Sequence, residues 1–214
     1  MTSRPSLAPF AGLGFAVTLL LGTILGPGGA SSNDPAPKIA AYYAQHAGGD
    51  IFSDYTSIVA TACLLAVFCA TAARIRGSAS AYLLVAAGVG AGFELAATAI
   101  EMALAANVHQ HAPAATTAAL YQVASRLFYV STFALGGAVT LAATGESRRW
   151  LAWLARFAGA LLIIAGLGAA HPHGHLAPLL IPAWTLLLAW SIAWSIVALR
   201  APRVAARTAI LATP

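Results

Sequence analysis

Six long stretches of the chain carry few or no charged residues, and this feature limits the fold more than any other. A transmembrane helix needs about 20 mainly apolar residues to cross roughly 30 Å of hydrocarbon. Stretches that approach or exceed this length are 10–26, 55–73, 79–106, 116–144, 150–170 and 176–199. Turn-forming or charged residues separate them. We therefore predict an all-α fold: a polytopic membrane helix bundle with six transmembrane helices in a single domain, residues 1–214.

Composition excludes the main soluble classes of protein. Of the 214 residues, 60% are apolar and only 8% are charged, whereas soluble domains carry about 25% charged residues. Too little polar surface remains for a soluble enzyme or a nucleic-acid-binding domain. The expected surroundings are the lipid bilayer, with no nucleic acid as partner and no cofactor, and a homo-oligomer is compatible with this plan.

The positive charges predict the orientation in the cell membrane. Arginines collect in the loops and termini on one side of the predicted bundle: Arg4, Arg74, Arg76, Arg148, Arg149, Arg200, Arg203 and Arg207. The other side carries only Lys38. Because cytoplasmic loops are enriched in Lys and Arg, we predict a multi-pass protein with both termini in the cytoplasm. Topology then explains the net charge of +5.

The amino terminus allows a second interpretation. Arg4, the following apolar run and Gly28-Gly29-Ala30 are typical of a signal peptide with a small-residue cleavage site. Retention of this segment gives an even number of spans. Cleavage within residues 1–30 would leave the orientation of the other five helices unchanged.

Residues 27–50 form the longest segment predicted outside the membrane. Asp34-Pro35 is typical of a helix start and Gly48-Gly49 of a helix stop. Between them, Ile39, Tyr42, Tyr43 and His46 recur on one helical face. We predict a short outer interfacial helix that serves either as a brace or as a lid over a cavity.

Three charged residues lie deep inside the predicted spans. Glu94 and Glu101 are seven residues apart and share nearly one face of the third helix. Arg126 in the fourth helix is predicted at an intermediate depth, and Asp54 in the second at the depth of Glu101. Ionisable residues inside a membrane are costly and mark functional sites by default.

These charges do not cancel. Arg126 can neutralise one carboxylate, while the second remains in a low-dielectric environment that favours its protonated form. The alternatives are a structural ion pair between helices three and four, a general acid, and a proton-binding site in a transporter. The uncompensated carboxylate favours a functional site, with Glu94, Glu101, Arg126 and Asp54 as candidate catalytic residues.

Polar and aromatic residues near these charges are candidates for substrate binding. Gln122 and Tyr129 are four residues before and three after Arg126, so we expect them on its face. Aromatic rings in the same half of the bundle could line an apolar pocket, although aromatic belts are also common at membrane interfaces. The predicted substrate-binding residues are Gln122, Tyr55, Phe93, Tyr129 and Trp184.

The histidines suggest an alternative metal site. Besides His46, they lie in two short loops on the same predicted side: His109, His111, His171, His173 and His175. Imidazole binds Zn, Cu or Ni, and histidine-rich tracts bind such ions. The spacing differs from that of closed metal sites, and a local response to pH or interface preference would also explain these residues.

The overall plan resembles a large group of uncharacterised six-helix membrane proteins from actinobacteria. The resemblance rests on the proline-rich outer segment ending in Ala40-Ala-Tyr-Tyr-Ala-Gln-His46 and on six short-looped spans. In size and general pattern the chain is also similar to bacterial membrane-bound terpene cyclases. That similarity implies intramembrane carboxylates that protonate an epoxide or an alkene.

Two functions are therefore expected from the sequence. The first is an intramembrane enzyme in which Glu94 or Glu101 starts the acid-initiated cyclisation of a lipophilic, isoprenoid-like substrate. In this hypothesis Arg126 and Gln122 position the acid, and Asp54 or the other glutamate receives the final proton. The alternative is a non-enzymatic transport, resistance or metal-binding membrane protein that uses the histidine loops.

Overall fold

Six α-helices make up nearly all of the described chain. The computed structural model describes residues 7–107, 112–170 and 176–211, and it contains no strand within them, which confirms the predicted all-α bundle. The helices are α1 (Ala8–Leu25), α2 (Ala36–Ala72), α3 (Ser78–Asn107), α4 (Ala114–Ala142), α5 (Arg149–Ala170) and α6 (Leu180–Leu211). All six are long and apolar enough to cross a membrane, which is the architecture of a multi-pass membrane protein.

The helices form a closed ring. Each helix packs against the next one along the chain, α1 packs against α6, and α2 also contacts α4. Helices α2 and α4 end near Arg74 and Arg148, and α3 and α5 begin there. We call this the arginine end, and we call the opposite end, where α2 begins, the Lys38 end.

A large apolar core joins all six helices. Its bulkiest fully buried side chains include Phe15, Phe68, Leu162, Trp190 and Trp194. The Phe68 and Trp190 rings stack with their centroids 6.0 Å apart.

Helix α2 differs from the prediction of a separate interfacial helix. It runs without interruption for 37 residues, a length of about 55 Å, so Gly48-Gly49 does not stop it. Its first turns are held by a second apolar cluster, in which Ile39 and Tyr43 pack against Leu104 and Ala105 of α3 and Ala118 of α4. This packing offsets the helix-propensity cost of about 1 kcal/mol for each glycine.

The start of α2 is fixed by a local ion pair. The Lys38 ammonium group donates a hydrogen bond to Asp34 Oδ1 at 2.8 Å. This bond, together with the bond from the Ser31 backbone N–H, lowers the pKa of Asp34. Pro35 precedes the first helical residue, as expected where the first N–H groups of a helix have no partner.

Glycines allow close contact between α4 and α5. A Cβ atom at Gly136 would lie 2.8 Å from the backbone oxygen of Gly159 and 2.8 Å from the backbone nitrogen of Ile163. A Cβ at Gly166 would lie 2.7 Å from the backbone nitrogen of Phe133. The two helices therefore touch backbone to backbone, a contact that small residues permit within membranes.

Candidate intramembrane acid site

Four carboxyl groups from two helices face a row of adjoining cavities. Asp50 and Asp54 come from α2, and Glu94 and Glu101 come from α3. Glu94 and Glu101 are separated by about 10 Å along the axis of α3, so the row extends inward from the Lys38 end. The predicted clustering of Asp54, Glu94 and Glu101 is present in this geometry.

The outermost cavity, which we call the tyrosine chamber, is mainly polar. It has a volume of about 200 Å³. Its lining residues are Pro27, Gly29, Ala30, Tyr42, Tyr43, Asp50, Ser53, Asp54, Glu101 and Tyr121. The Tyr42 hydroxyl donates to Asp50 Oδ1 at 2.7 Å, and the Tyr121 hydroxyl donates to the backbone oxygen of Ala30. The bond from Tyr121 to Ala30 holds the segment before α2 against the chamber.

The next cavity, which we call the carboxyl chamber, has a volume of about 310 Å³. It shares Asp54 and Glu101 with the tyrosine chamber and adds Glu94. Hydroxyl-bearing and aromatic side chains complete its wall: Ser53, Ser57, Thr98, Ser125, Tyr121, Tyr129 and Phe128. Three carboxyl groups from two helices thus border one space.

The innermost cavity, which we call the apolar chamber, has a volume of about 240 Å³. Glu94 and Phe128 line both this chamber and the carboxyl chamber, so the two adjoin at these side chains. Apolar and small hydroxyl side chains from α1, α2, α3, α4 and α6 form the rest of the wall, among them Phe15, Leu19, Leu64, Phe68, Leu135 and Trp184. Glu94 is the one carboxyl residue among the described residues that line it.

Several carboxyl oxygens at the site have no hydrogen-bond partner in the described part of the chain. They are Oδ2 of Asp50, Oδ2 of Asp54 and Oε2 of Glu94. An isolated buried carboxylate is costly, so each group is expected to carry a proton or to meet a cation. The site can therefore donate a proton or bind a positive group.

The fourth helix faces the chambers with a different side from the one predicted. Tyr121, Ser125, Phe128 and Tyr129 line the carboxyl chamber, whereas the side chains of Gln122 and Arg126 are exposed. One residue along a helix is a turn of about 100°, so the step from Ser125 to Arg126 moves from the chamber wall to the outside. The predicted position of Arg126 between the two glutamates differs from the observed one.

The predicted substrate-binding residues divide into two groups. Tyr129 lines the carboxyl chamber and Trp184 lines the apolar chamber. Tyr55 is 59% exposed, Gln122 is exposed and Phe93 is half-buried, and none of these three is among the described lining residues.

Sequence reasoning missed Phe15 and Phe68 as lining residues of the apolar chamber. They come from α1 and α2 and lie beside the predicted Trp184. No pattern in so apolar a chain distinguishes them from ordinary core residues. Asp50 was missed as a lining residue as well, although its position one helical turn before Asp54 was a usable signal.

The predicted metal ligands cannot be compared with the structure. His109, His111, His171, His173 and His175 lie outside the described residues. His46 is described, and its exposed ring stacks on Tyr42 with the centroids 4.8 Å apart. Within the described ranges, no group of three or more His, Cys, Asp or Glu side chains is arranged to hold a metal ion.

The fold and site together define a membrane helix bundle with buried carboxyl groups above an apolar chamber. Comparisons with protein-family models, with curated proteins and with solved structures give no match. The chemistry of the site is therefore the basis for the functional proposal.

Proposed function

We propose that the protein is an intramembrane enzyme that starts the cyclisation of a lipophilic, isoprenoid-like substrate by proton donation from Glu94. One observation carries the proposal: Glu94 borders an apolar chamber on one side and a chamber rich in carboxyl groups on the other. A carboxyl group in an apolar, poorly solvated site is suited to act as a general acid near neutral pH.

The proposed reaction needs no cofactor, because the protein's carboxyl groups supply the proton that starts it and accept the proton that is released. Glu94 transfers its proton to the oxygen of a terminal epoxide, and the carbon–oxygen bond breaks. The electron pair of a neighbouring alkene forms the new carbon–carbon bond and leaves a carbocation. A carbon-bound proton is then lost to the carboxyl groups of Asp54 or Glu101, and proton transfer along this row restores Glu94. The product is a cyclic alcohol with the same atoms as the substrate.

The wall of the apolar chamber suits a cationic intermediate. Aromatic faces attract positive charge, most strongly when water is excluded. The Phe128 and Trp184 rings stack with centroids 5.8 Å apart and an interplanar angle of 11°, and both line the chamber. Phe15 and Phe68 add two further rings. The proposal gives no role to Arg126 or Gln122, because both side chains are exposed.

The proposal is tested with membranes that contain the protein and an epoxidised isoprenoid. Conversion to a cyclic alcohol is expected with the wild type and lost with Glu94→Gln. Full activity in Glu94→Gln, Glu101→Gln and Asp54→Asn would overturn the assignment of these carboxyl groups.

We further propose that the arginine end faces the cytoplasm, because short cytoplasmic loops are enriched in Arg and Lys. The test uses a background in which Cys63 and Cys69 are replaced by Ala. An impermeant maleimide applied to intact cells is expected to label Asn33→Cys but not Ser147→Cys. Both parent side chains are exposed, so labelling of Ser147→Cys alone would reverse the orientation. Labelling of Ser147→Cys after permeabilisation is the control for its reactivity.

A further inference from the structure

The tyrosine chamber contains three tyrosines and one carboxyl residue, Asp50, that the proposed cyclisation does not use. Three carboxyl residues, Asp50, Asp54 and Glu101, share its wall with three tyrosines, Tyr42, Tyr43 and Tyr121. No Lys, Arg or His is among the described residues that line it. This combination of negative groups and aromatic rings favours a positively charged ligand.

Asp54 gives the most direct evidence for such a ligand. The residue is only 6% exposed, and its Oδ2 atom makes no hydrogen bond within the described ranges. One helical turn before Asp54, Asp50 uses Oδ1 to accept the hydrogen bond from Tyr42, while its Oδ2 also has no partner in the described ranges. Buried charges in proteins are normally paired, so a cation in this chamber would be a partner for the ionised forms of these two carboxyl groups.

The tyrosine rings form a continuous aromatic wall. The centroids of Tyr42 and Tyr43 are 5.5 Å apart, and those of Tyr43 and Tyr121 are 5.9 Å apart. Both pairs are edge-to-face, with interplanar angles of 83° and 71°. Rings set at such angles present faces in different directions, which is how aromatic cages surround ammonium groups.

Size and spacing argue for an organic cation and against a metal ion. A bare metal ion needs several oxygen ligands within about 2.6 Å, and no described group of three carboxyl or other ligating side chains is arranged for this. The chamber volume of about 200 Å³ is many times the space of about 15 Å³ that one water molecule needs on this scale. A small alkylammonium group fits within this volume, and it does not need a set of oxygen ligands as close as those of a metal ion.

We propose that the tyrosine chamber is a binding site for a small organic ammonium ion, held between the carboxyl groups of Asp54, Asp50 and Glu101 and the rings of Tyr42, Tyr43 and Tyr121. The proposed acid, Glu94, does not line this chamber, whereas Asp54 and Glu101 line it and also receive the proton in the proposed cyclisation. Its ligand enters from the Lys38 end, where Gly29 and Ala30 border the chamber.

Calorimetry on the purified full chain in lipid nanodiscs provides the test. The probe is choline, and the matched control is 3,3-dimethyl-1-butanol, which has the same shape without the charge. Saturable choline binding in the millimolar range or tighter is expected, with no binding of the neutral analogue. Absence of choline binding at millimolar concentration, or equal binding of both compounds, would overturn the proposal. Displacement of choline by micromolar Ca²⁺ would also overturn it, in favour of a metal site.

Two kinds of variant distinguish the contribution of the carboxyl charge to choline affinity from that of the aromatic rings. Asp54→Asn keeps the shape of the side chain and is expected to weaken choline binding at least about tenfold through loss of a buried charge pair. Tyr43→Leu is expected to weaken it about tenfold and Tyr43→Phe much less, since the ring carries the cation–π contact. The matched controls are Glu146→Gln and Tyr82→Leu, which alter a carboxyl group near the arginine end and a tyrosine that is 63% exposed.

Measurements of choline binding and of cyclisation in the same variants test the two proposals separately. Glu94→Gln is expected to abolish cyclisation but to retain choline binding. Unchanged choline affinity in Asp54→Asn would contradict the ammonium site, whatever the result for cyclisation. An equal loss in Tyr82→Leu and Tyr43→Leu would show that the effect does not arise in the chamber, and would also contradict it.

Discussion

Replacing Glu94 by glutamine is expected to slow cyclisation by about a hundredfold to ten-thousandfold, the range for removal of a general acid. The amide keeps the size of the side chain but cannot donate an acidic proton to the substrate. Glu101→Gln is expected to have a smaller effect of about tenfold, because Glu101 lines the carboxyl chamber but not the apolar chamber. The measurement is the initial rate of cyclic product formation by equal amounts of each purified protein.

Two controls accompany this comparison. Glu146→Gln removes a half-buried carboxyl group near the arginine end and is expected to leave the rate unchanged. The thermal midpoint of each variant shows whether the bundle remains folded. A rate for Glu94→Gln within twofold of the wild type would contradict the role of Glu94 as the acid, given the expected loss.

Replacing Gly136 by alanine is expected to destabilise the bundle by about 1–3 kcal/mol, the usual cost of overpacking. The added Cβ would lie 2.8 Å from backbone atoms of both Gly159 and Ile163. Because backbone cannot rotate away as a side chain can, α4 and α5 must separate. The measurement is the free energy of unfolding in detergent, or the thermal midpoint where unfolding is irreversible.

The adjacent glycine, Gly137, provides a matched control, because its replacement by alanine is expected to change the stability in the opposite direction. Within the described part of the chain, no atom from another helix lies within 4 Å of a Cβ added at Gly137. Gly137→Ala should therefore stabilise the helix by about 0.5–1 kcal/mol through the higher helix propensity of alanine. Equal destabilisation by the two substitutions would show that helix contact does not determine the effect at Gly136.

The six helices could be predicted because each one contains a long uncharged run. The predicted start of the third span, residue 79, lies one residue from the observed start at Ser78. The helix start predicted at Asp34-Pro35 is confirmed, because α2 begins at Ala36. The continuity of α2 through Gly48-Gly49 could not be predicted in the same way. Gly48-Gly49 is a normal stop signal, but the packing of Ile39 and Tyr43 on α3 and α4 keeps the helix continuous, and a local pattern contains no information about that contact.

The site was predictable only where charge marks it. Asp54, Glu94 and Glu101 stand out in an apolar chain, and all three line the chambers. The rotation of α4 did not follow from Arg126, because a single charge does not reveal which side of its helix faces inward. Apart from Glu94 and Trp184, the lining of the apolar chamber gave no signal, since these residues are of the same types as the core.

Glycine spacing was an ambiguous guide to helix contacts. A Cβ at Gly22 would lie 2.3 Å from the Thr56 hydroxyl oxygen, so this glycine does allow α1 and α2 to approach closely. Gly88 and Gly92 have the same four-residue spacing as Gly22 and Gly26, yet among the described residues neither has an atom of another helix within 4 Å of an added Cβ. The spacing permits a close approach, and the rotation of the helix decides whether it occurs.

The most direct test of the proposed function is the mass of the product formed by the purified protein in nanodiscs. An enzyme that protonates an epoxide in a water-excluding apolar chamber converts an epoxidised isoprenoid into a cyclic alcohol of identical mass. Glu94→Gln should leave the substrate unchanged. A product heavier by one water molecule, or no conversion by the wild type beyond that of Glu94→Gln, would contradict acid-initiated cyclisation at Glu94.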